Sequence, residues 1–119
     1  MSVKDELNSF YEDFALALEM RDRDRLSQLY TDEAVFLSNG NATVIGNEQI
    51  GLLFQGPPST KKTTFEVGEV LEDGDLIFDF GMILVDGERV SRFVGVYRRQ
   101  ADGGLKMAVD VPMRTSPRL

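Results

Sequence analysis

Three Asp-Gly dipeptides, Asp73-Gly74, Asp86-Gly87 and Asp102-Gly103, cut the second half of the chain into apolar segments. Asp-Gly between apolar runs is the strongest short-range hairpin signal, because it accepts the positive φ angles of the turns that join twisted strands. The pattern predicts an antiparallel meander of four strands over residues 63–72, 75–85, 88–100 and 105–111.

Tight hairpins also fix register, and register fixes which side chains share a face. A two-residue loop at Asp86-Gly87 pairs Val85 with Glu88, Phe80 with Phe93 and Phe78 with Gly95. The same rule sets Phe65 beside Met82 and Asp110 opposite Gly95. One face then collects Phe65, Glu69, Phe78, Phe80, Met82, Phe93, Gly95, Tyr97 and Asp110, a mixture of aromatics with few acids. The other collects Ile77, Asp79, Ile83, Arg92, Val94, Val96 and Val109, mostly branched aliphatic, with Asp79 and Arg92 placed for an ion pair. A bulge at Gly68 or Gly81 would alter part of this assignment. Neither face has the alternation of a sheet with one wet side, so both need covering.

The first half supplies helices for one face. Leu7, Phe10, Tyr11, Phe14, Ala17 and Leu18 recur at three- and four-residue steps, and Ser2 with Asp5 is a capping signal for the start. Asp22 is a good N-cap for a short second helix carrying Leu26, Leu29 and Tyr30. Ala34-Val35-Phe36-Leu37 reads as a strand, Ser38-Asn39-Gly40-Asn41 as a turn, and Thr43-Val44-Ile45 as a short returning strand. A third helix carries Ile50, Leu53 and Phe54 and stops at Gly56-Pro57-Pro58. Three helices cover one face, so a second copy of the chain is expected on the other, giving a homodimer through the outer sheet face.

Composition narrows the chemistry. There is no histidine and no cysteine, which excludes thiolate nucleophiles, Ser-His-Asp triads, disulfides and ordinary zinc sites. Proton transfer falls to carboxylates, tyrosines or lysines. No spacing matches a calcium loop, a phosphate loop or a dinucleotide fingerprint, so neither metal nor cofactor is expected. With 20 acidic against 13 basic residues the net charge is −7, which repels phosphate backbones and makes nucleic acid an unexpected partner. No apolar stretch approaches the ~20 residues of a membrane span, and the polar start lacks a signal-peptide core. A cytoplasmic location is expected.

The helix running into Arg21-Asp22, then the run from Leu26 through Tyr30-Thr31-Asp32-Glu33-Ala34-Val35-Phe36, then Val44-Ile45-Gly46-Asn47-Glu48-Gln49-Ile50, and finally Asp102-Gly103-Gly104-Leu105-Lys106-Met107, resembles the nuclear transport factor 2-like superfamily. Within it the sequence is most similar to SnoaL-like and ketosteroid isomerase-like proteins. The resemblance implies one domain over residues 1–119 with an α+β fold. That fold is a cystatin-like cone, three N-terminal helices packed on a curved, mostly antiparallel sheet with a central pocket. It also implies a homodimer packed through the outer sheet. In ketosteroid isomerases a carboxylate base, a tyrosine and a protonated sheet acid do the chemistry. Those positions fall here on Ser38, on Phe14 and near Gly95. All three differ, so steroid isomerisation of that kind is not expected.

Asp110 is the remaining acid on the pocket face, in the last strand, where SnoaL-like members often carry one. A carboxylate facing an aromatic cavity is harder to ionise, which suits general acid or base work near neutral pH. Pairing with a polar neighbour, or exposure at the cone mouth, is the plainer alternative. Tyr30 is the second catalytic candidate, as a donor to a ligand oxygen, although a buried tyrosine satisfied by backbone reads equally well. Phe14, Tyr11, Phe54, Phe65, Phe78, Phe80, Met82, Phe93, Tyr97 and Ser38 are the expected lining for a small apolar organic ligand, with Glu69 a lesser acid at the rim. The reaction would be an isomerisation, dehydration or cyclisation. A non-catalytic dimeric binding or assembly module of the same fold is the alternative.

Overall fold

The computed structural model describes residues 1–37, 42–58 and 60–114. Helix α1 spans Val3–Glu19 and opens on a reciprocal cap, in which Ser2 Oγ accepts from the Asp5 N–H at 3.1 Å and Asp5 Oδ2 accepts from the Ser2 N–H at 3.2 Å. Its buried stripe is Leu7, Phe10, Tyr11, Phe14 and Ala17, as the spacing predicts. Helix α2, Arg23–Gln28, is capped by Asp22, which accepts from the Arg25 N–H at 3.1 Å.

Tyr30 is not on that helix. It opens strand β1, Tyr30–Phe36, because the Leu29 carbonyl accepts the Met107 N–H at 2.8 Å and draws the chain into the sheet. Such a pairing joins distant segments, so no local pattern announces it. Strand β2, Val44–Ile45, and helix α3, Asn47–Leu52, follow. The expected turn at Ser38-Asn39-Gly40-Asn41 lies outside the described residues.

The meander forms as β3, Thr63–Asp73, β4, Leu76–Val85, β5, Glu88–Arg99, and β6, Leu105–Arg114. Six strands make one open sheet in the order β2-β1-β6-β5-β4-β3. Only the β1–β6 pair is parallel; the other neighbours are antiparallel. The three helices pack on this mostly antiparallel sheet. Among the described residues no helix is long and apolar enough to cross a membrane.

Three bulges decide the faces. Asp86 and Gly87 both take positive φ, 51° and 84°, and Val85 pairs with Glu88 as a two-residue loop requires. The register then shifts between Ile83 and Leu84, where Val90 is the extra residue, since Leu84 pairs with Arg89 and Ile83 with Ser91. Every later pair on β4 moves by one. Phe93 meets Gly81 and Gly95 meets Asp79. Phe78, Phe80 and Met82 therefore lie on the outer face, and Ile77, Asp79 and Ile83 on the inner one, the reverse of the sequence expectation for β4. A second bulge, at Val67-Gly68 opposite Gly81, does sit at one of the two glycines flagged by the sequence. It leaves Glu69 opposite the outward Phe80, so Glu69 is not at the pocket. Between β5 and β6 a longer loop moves the pairing to Arg99–Leu105, and an extra residue at Ala108 moves it back. The two shifts cancel, and Asp110 pairs with Gly95 as expected, while Met107 turns inward.

Helix α1 lies over the inner face and packs on β3. Tyr11 stacks on Phe65 with ring centroids 4.8 Å apart, and Phe10 meets Tyr97 edge-on at 5.3 Å. The clamp at the far end is ionic: both Arg99 guanidinium NH2 groups donate to the Glu6 carboxylate, at 2.7 and 3.2 Å. That pairing holds the Glu6 carboxyl below its ordinary range.

Candidate functional site

The sheet presents one row of inward residues on which the chemistry concentrates. Asp79, Gly95 and Asp110 are directly paired neighbours on β4, β5 and β6. Phe36 of β1 extends the row beside Asp110. Both carboxylates are buried, with Asp79 at 0% and Asp110 at 8% exposure.

Above Asp110 lies a cavity of about 170 Å³ between α1 and the inner sheet face. Tyr11, Phe14 and Leu18 of α1 line it from the helix side, and Phe36 of β1, Pro112 of β6, Phe93 of β5, Ile83 of β4 and Phe65 of β3 from the sheet, with Phe54 packed edge-on to Phe36. Among the described residues Asp110 is the only carboxylate in this otherwise almost wholly apolar lining. Drug-sized sites occupy about 300–1,000 Å³, so the present cavity suits a compact molecule.

Asp110 has one strong partner. The Tyr30 hydroxyl donates to Asp110 Oδ2 at 2.7 Å in a fully buried bond. Burial pushes the Asp110 carboxyl up to about 6, and the Tyr30 bond opposes that rise by favouring the charged form. Tyr30 itself is raised well above the ordinary phenol value, first by burial and then by the Asp110 charge. Asp110 is thus the group that titrates near neutrality, while Tyr30 keeps its proton.

Of the residues singled out by the sequence, Tyr11, Phe14, Phe54, Phe65, Phe93 and Asp110 come together around the cavity. Tyr30 and Tyr97 are fully buried behind that lining rather than in it. Phe78, Phe80 and Met82 are on the opposite face because of the Val90 bulge, and Phe80 is 43% exposed there. Ser38 lies outside the described residues.

Sequence reasoning missed Asp79. The unbulged hairpin register puts this acid on the outer face, diagonal to Arg92. Instead it points inward, where the Gly68 N–H, turned in by the β3 bulge, donates to its Oδ1 at 2.9 Å. Gly68 is needed there, since a Cβ would collide with the Phe80 carbonyl. The Asp79–Arg92 ion pair does not form, because Arg92 follows the outer face. Burial raises the Asp79 carboxyl, against smaller opposing effects of the Gly68 bond and the Lys4 charge.

Three helices on a six-stranded, mostly antiparallel sheet, with a buried acid at the base of an aromatic cavity, define an α+β protein of cystatin-like fold. The chain belongs to the SnoaL-like domain family, whose pattern matches residues 10–107. No curated protein is significantly similar in sequence. Solved structures share the fold. An NTF2-like protein with a cystatin-like fold from Novosphingobium aromaticivorans superimposes with a TM-score of 0.77 at 16% identity, over 95% of this chain and 82% of that one. A ketosteroid isomerase-like protein from Erwinia carotovora atroseptica gives 0.74 at 16% identity, over 96% and 97% of the two chains. ActVI-ORFA from Streptomyces coelicolor gives 0.73 at 16% identity, over 97% of each.

Proposed function

We propose that the protein binds a compact, largely apolar organic molecule in the α1-roofed cavity, and that Asp110 exchanges a proton with it. The observation that carries this reading is the 2.7 Å Tyr30–Asp110 bond at the base of an aromatic cavity. A carboxyl group held near 6 exchanges protons readily at neutral pH, and an apolar surround strengthens its interaction with an acidic C–H or O–H of the ligand. Proton abstraction beside a carbonyl, as in an isomerisation, dehydration or cyclisation, fits one base with no second free carboxylate in the lining. The ketosteroid isomerase-like neighbour supports the shape of the pocket; the differing Ser38, Phe14 and Gly95 argue against the same steroid chemistry.

Fluorescence titration with 2-naphthol, an apolar bicycle bearing one hydroxyl, tests the reading. Saturable binding that weakens on Asp110→Asn and on Phe14→Trp, which fills the cavity, is the expected result. Binding indifferent to both substitutions would remove the cavity from consideration.

The outer sheet face supports a second proposal, that two copies pack through it. Phe80 and Leu71 are 43% and 61% exposed on that face, and Phe78, Val94, Val96, Val109 and Val111 continue it across neighbouring strands. A contiguous apolar surface of this kind is expected to be covered. Were the cavity to bind nothing, this face would favour an assembly module.

A further inference from the structure

Among the described residues three buried side-chain polar atoms have no protein partner: Asp79 Oδ2, Tyr97 Oη and Tyr11 Oη. Two of them meet at the row of Asp79, Gly95 and Asp110. A Cβ on Gly95 would collide with the Tyr97 hydroxyl, so that hydroxyl occupies the space above Gly95. Gly95 is the paired neighbour of Asp79 on one side and of Asp110 on the other. The Tyr97 hydroxyl therefore stands between two buried carboxyl groups, and the Asp110 charge is near enough to help raise Tyr97 above the ordinary phenol value, after the larger effect of burial.

We propose that Asp79 is a positioning residue for Asp110: a neutral carboxyl group that donates its O–H to Tyr97 Oη and so turns the Tyr97 hydroxyl hydrogen towards Asp110. The chain of donors runs Asp79 to Tyr97 to Asp110, with Tyr30 donating from the other side. No bond breaks and no proton changes owner. With these bonds made both orphaned atoms have a partner, and a buried polar group without one is unfavourable. The neutral form of Asp79 fits its surroundings. Its ionised form would leave one oxygen bare in a site with no exposure, and one neutral, one ionised acid is the usual outcome when two carboxyl groups share a buried site. The titratable groups around the row are Lys4 and Tyr11 on α1, Tyr30 on β1, Tyr97 on β5 and Asp110 on β6; β3 contributes Val70 opposite Asp79 and the Gly68 N–H. Of these only Lys4 favours the ionised form by its charge.

The role matters for function only if Asp110 is the acid–base group, but its test needs no ligand. Carboxyl 13C resonances of Asp79 and Asp110 are followed through a pH titration of the whole protein, in the unsubstituted chain and in the Asp79→Asn and Tyr97→Phe variants. Asp79 is expected to remain protonated at neutral pH. Tyr97→Phe removes a donor and raises the Asp110 midpoint by about a unit, a ~10-fold change in its ionisation constant. Asp79→Asn retains an N–H donor for Tyr97 Oη and leaves that midpoint in place, and the variant folds because Asn mimics the neutral acid. An Asp79 that is ionised at neutral pH, or an Asp110 midpoint unmoved by Tyr97→Phe, overturns the proposal. A midpoint near 4 for Asp110 in the unsubstituted protein would instead tell against the acid–base reading above, and the Asp79 and Tyr97→Phe results would still decide this one.

Discussion

Tyr30 and Asp110, 80 residues apart in sequence, are joined by a buried 2.7 Å hydrogen bond across the one parallel strand pair in the sheet. The bond favours the ionised carboxylate, and burial opposes it. Removing the hydroxyl leaves burial unopposed. Tyr30→Phe should therefore raise the Asp110 midpoint above about 6. A hydrogen bond to a charged group contributes about 1.5–3 kcal/mol, so stability at pH 7 should fall by a similar amount in urea unfolding. An unchanged midpoint would mean that the phenol does not serve the carboxylate in solution.

The pH dependence of stability follows from the sign of the Asp110 shift. Its folded value, about 6, lies above the ordinary 3.8 of the unfolded chain, so between these values the folded state binds more protons. The Asp110 contribution to stability should be greatest below pH ~4, fall as pH rises through that interval, and level off above it. The drop from Asp110 is on the order of 3 kcal/mol. Asp79, raised in the same direction, adds a slope of the same sign. Denaturant unfolding from pH 3.5 to 7.5 should show this decline in the difference between the unsubstituted protein and Asp110→Asn. A difference that grows with pH over this range would contradict the assigned burial.

Gly95 and Tyr97 should be coupled energetically. A methyl group at Gly95 runs into the Tyr97 hydroxyl, and overpacking of this kind destabilises by about 1–3 kcal/mol. Taking the hydroxyl away relieves it. The double-mutant cycle of Gly95→Ala with Tyr97→Phe should return a favourable interaction energy of about 1 kcal/mol or more. Additive effects would indicate that the Tyr97 ring already moves aside.

The outer face gives a test of self-association. Phe80→Glu puts a charge amid the exposed apolar strip without touching the inner core. If two copies meet there, sedimentation at micromolar protein should show a dimer for the unsubstituted chain and a monomer for the variant, with the Asp110 titration unchanged. A monomer in both cases would rule out pairing through this face.

Much of this arrangement was legible in the residues. Capping by Ser2 and Asp22, the α1 stripe and all four strands of the meander rest on local rules, because caps, periodicity and Asp-Gly turns act within a few residues. Asp110 reached its place through two register shifts that cancel, so its agreement with the sequence owes something to compensation. Tyr30 was assigned to a helix because its strand partner is 77 positions away, at Met107. An unbulged two-residue hairpin at Asp86-Gly87 puts Phe78, Phe80 and Met82 on the face of Phe93, and the shift between Ile83 and Leu84 reverses that.

The sequence by itself determined the elements, the turns, the absence of histidine and cysteine chemistry, and a likeness strong enough to name the family. Only the tertiary structure decided which face of β4 looks inward. A bulge adds one residue and exchanges every side chain beyond it, and the bulge at Val90 shows only in the pairing of β4 with β5. That single residue moved Asp79 from a surface ion pair to the buried row beside Asp110. An inward Asp79 is tolerable only where Gly68, from another strand, turns its N–H to meet it.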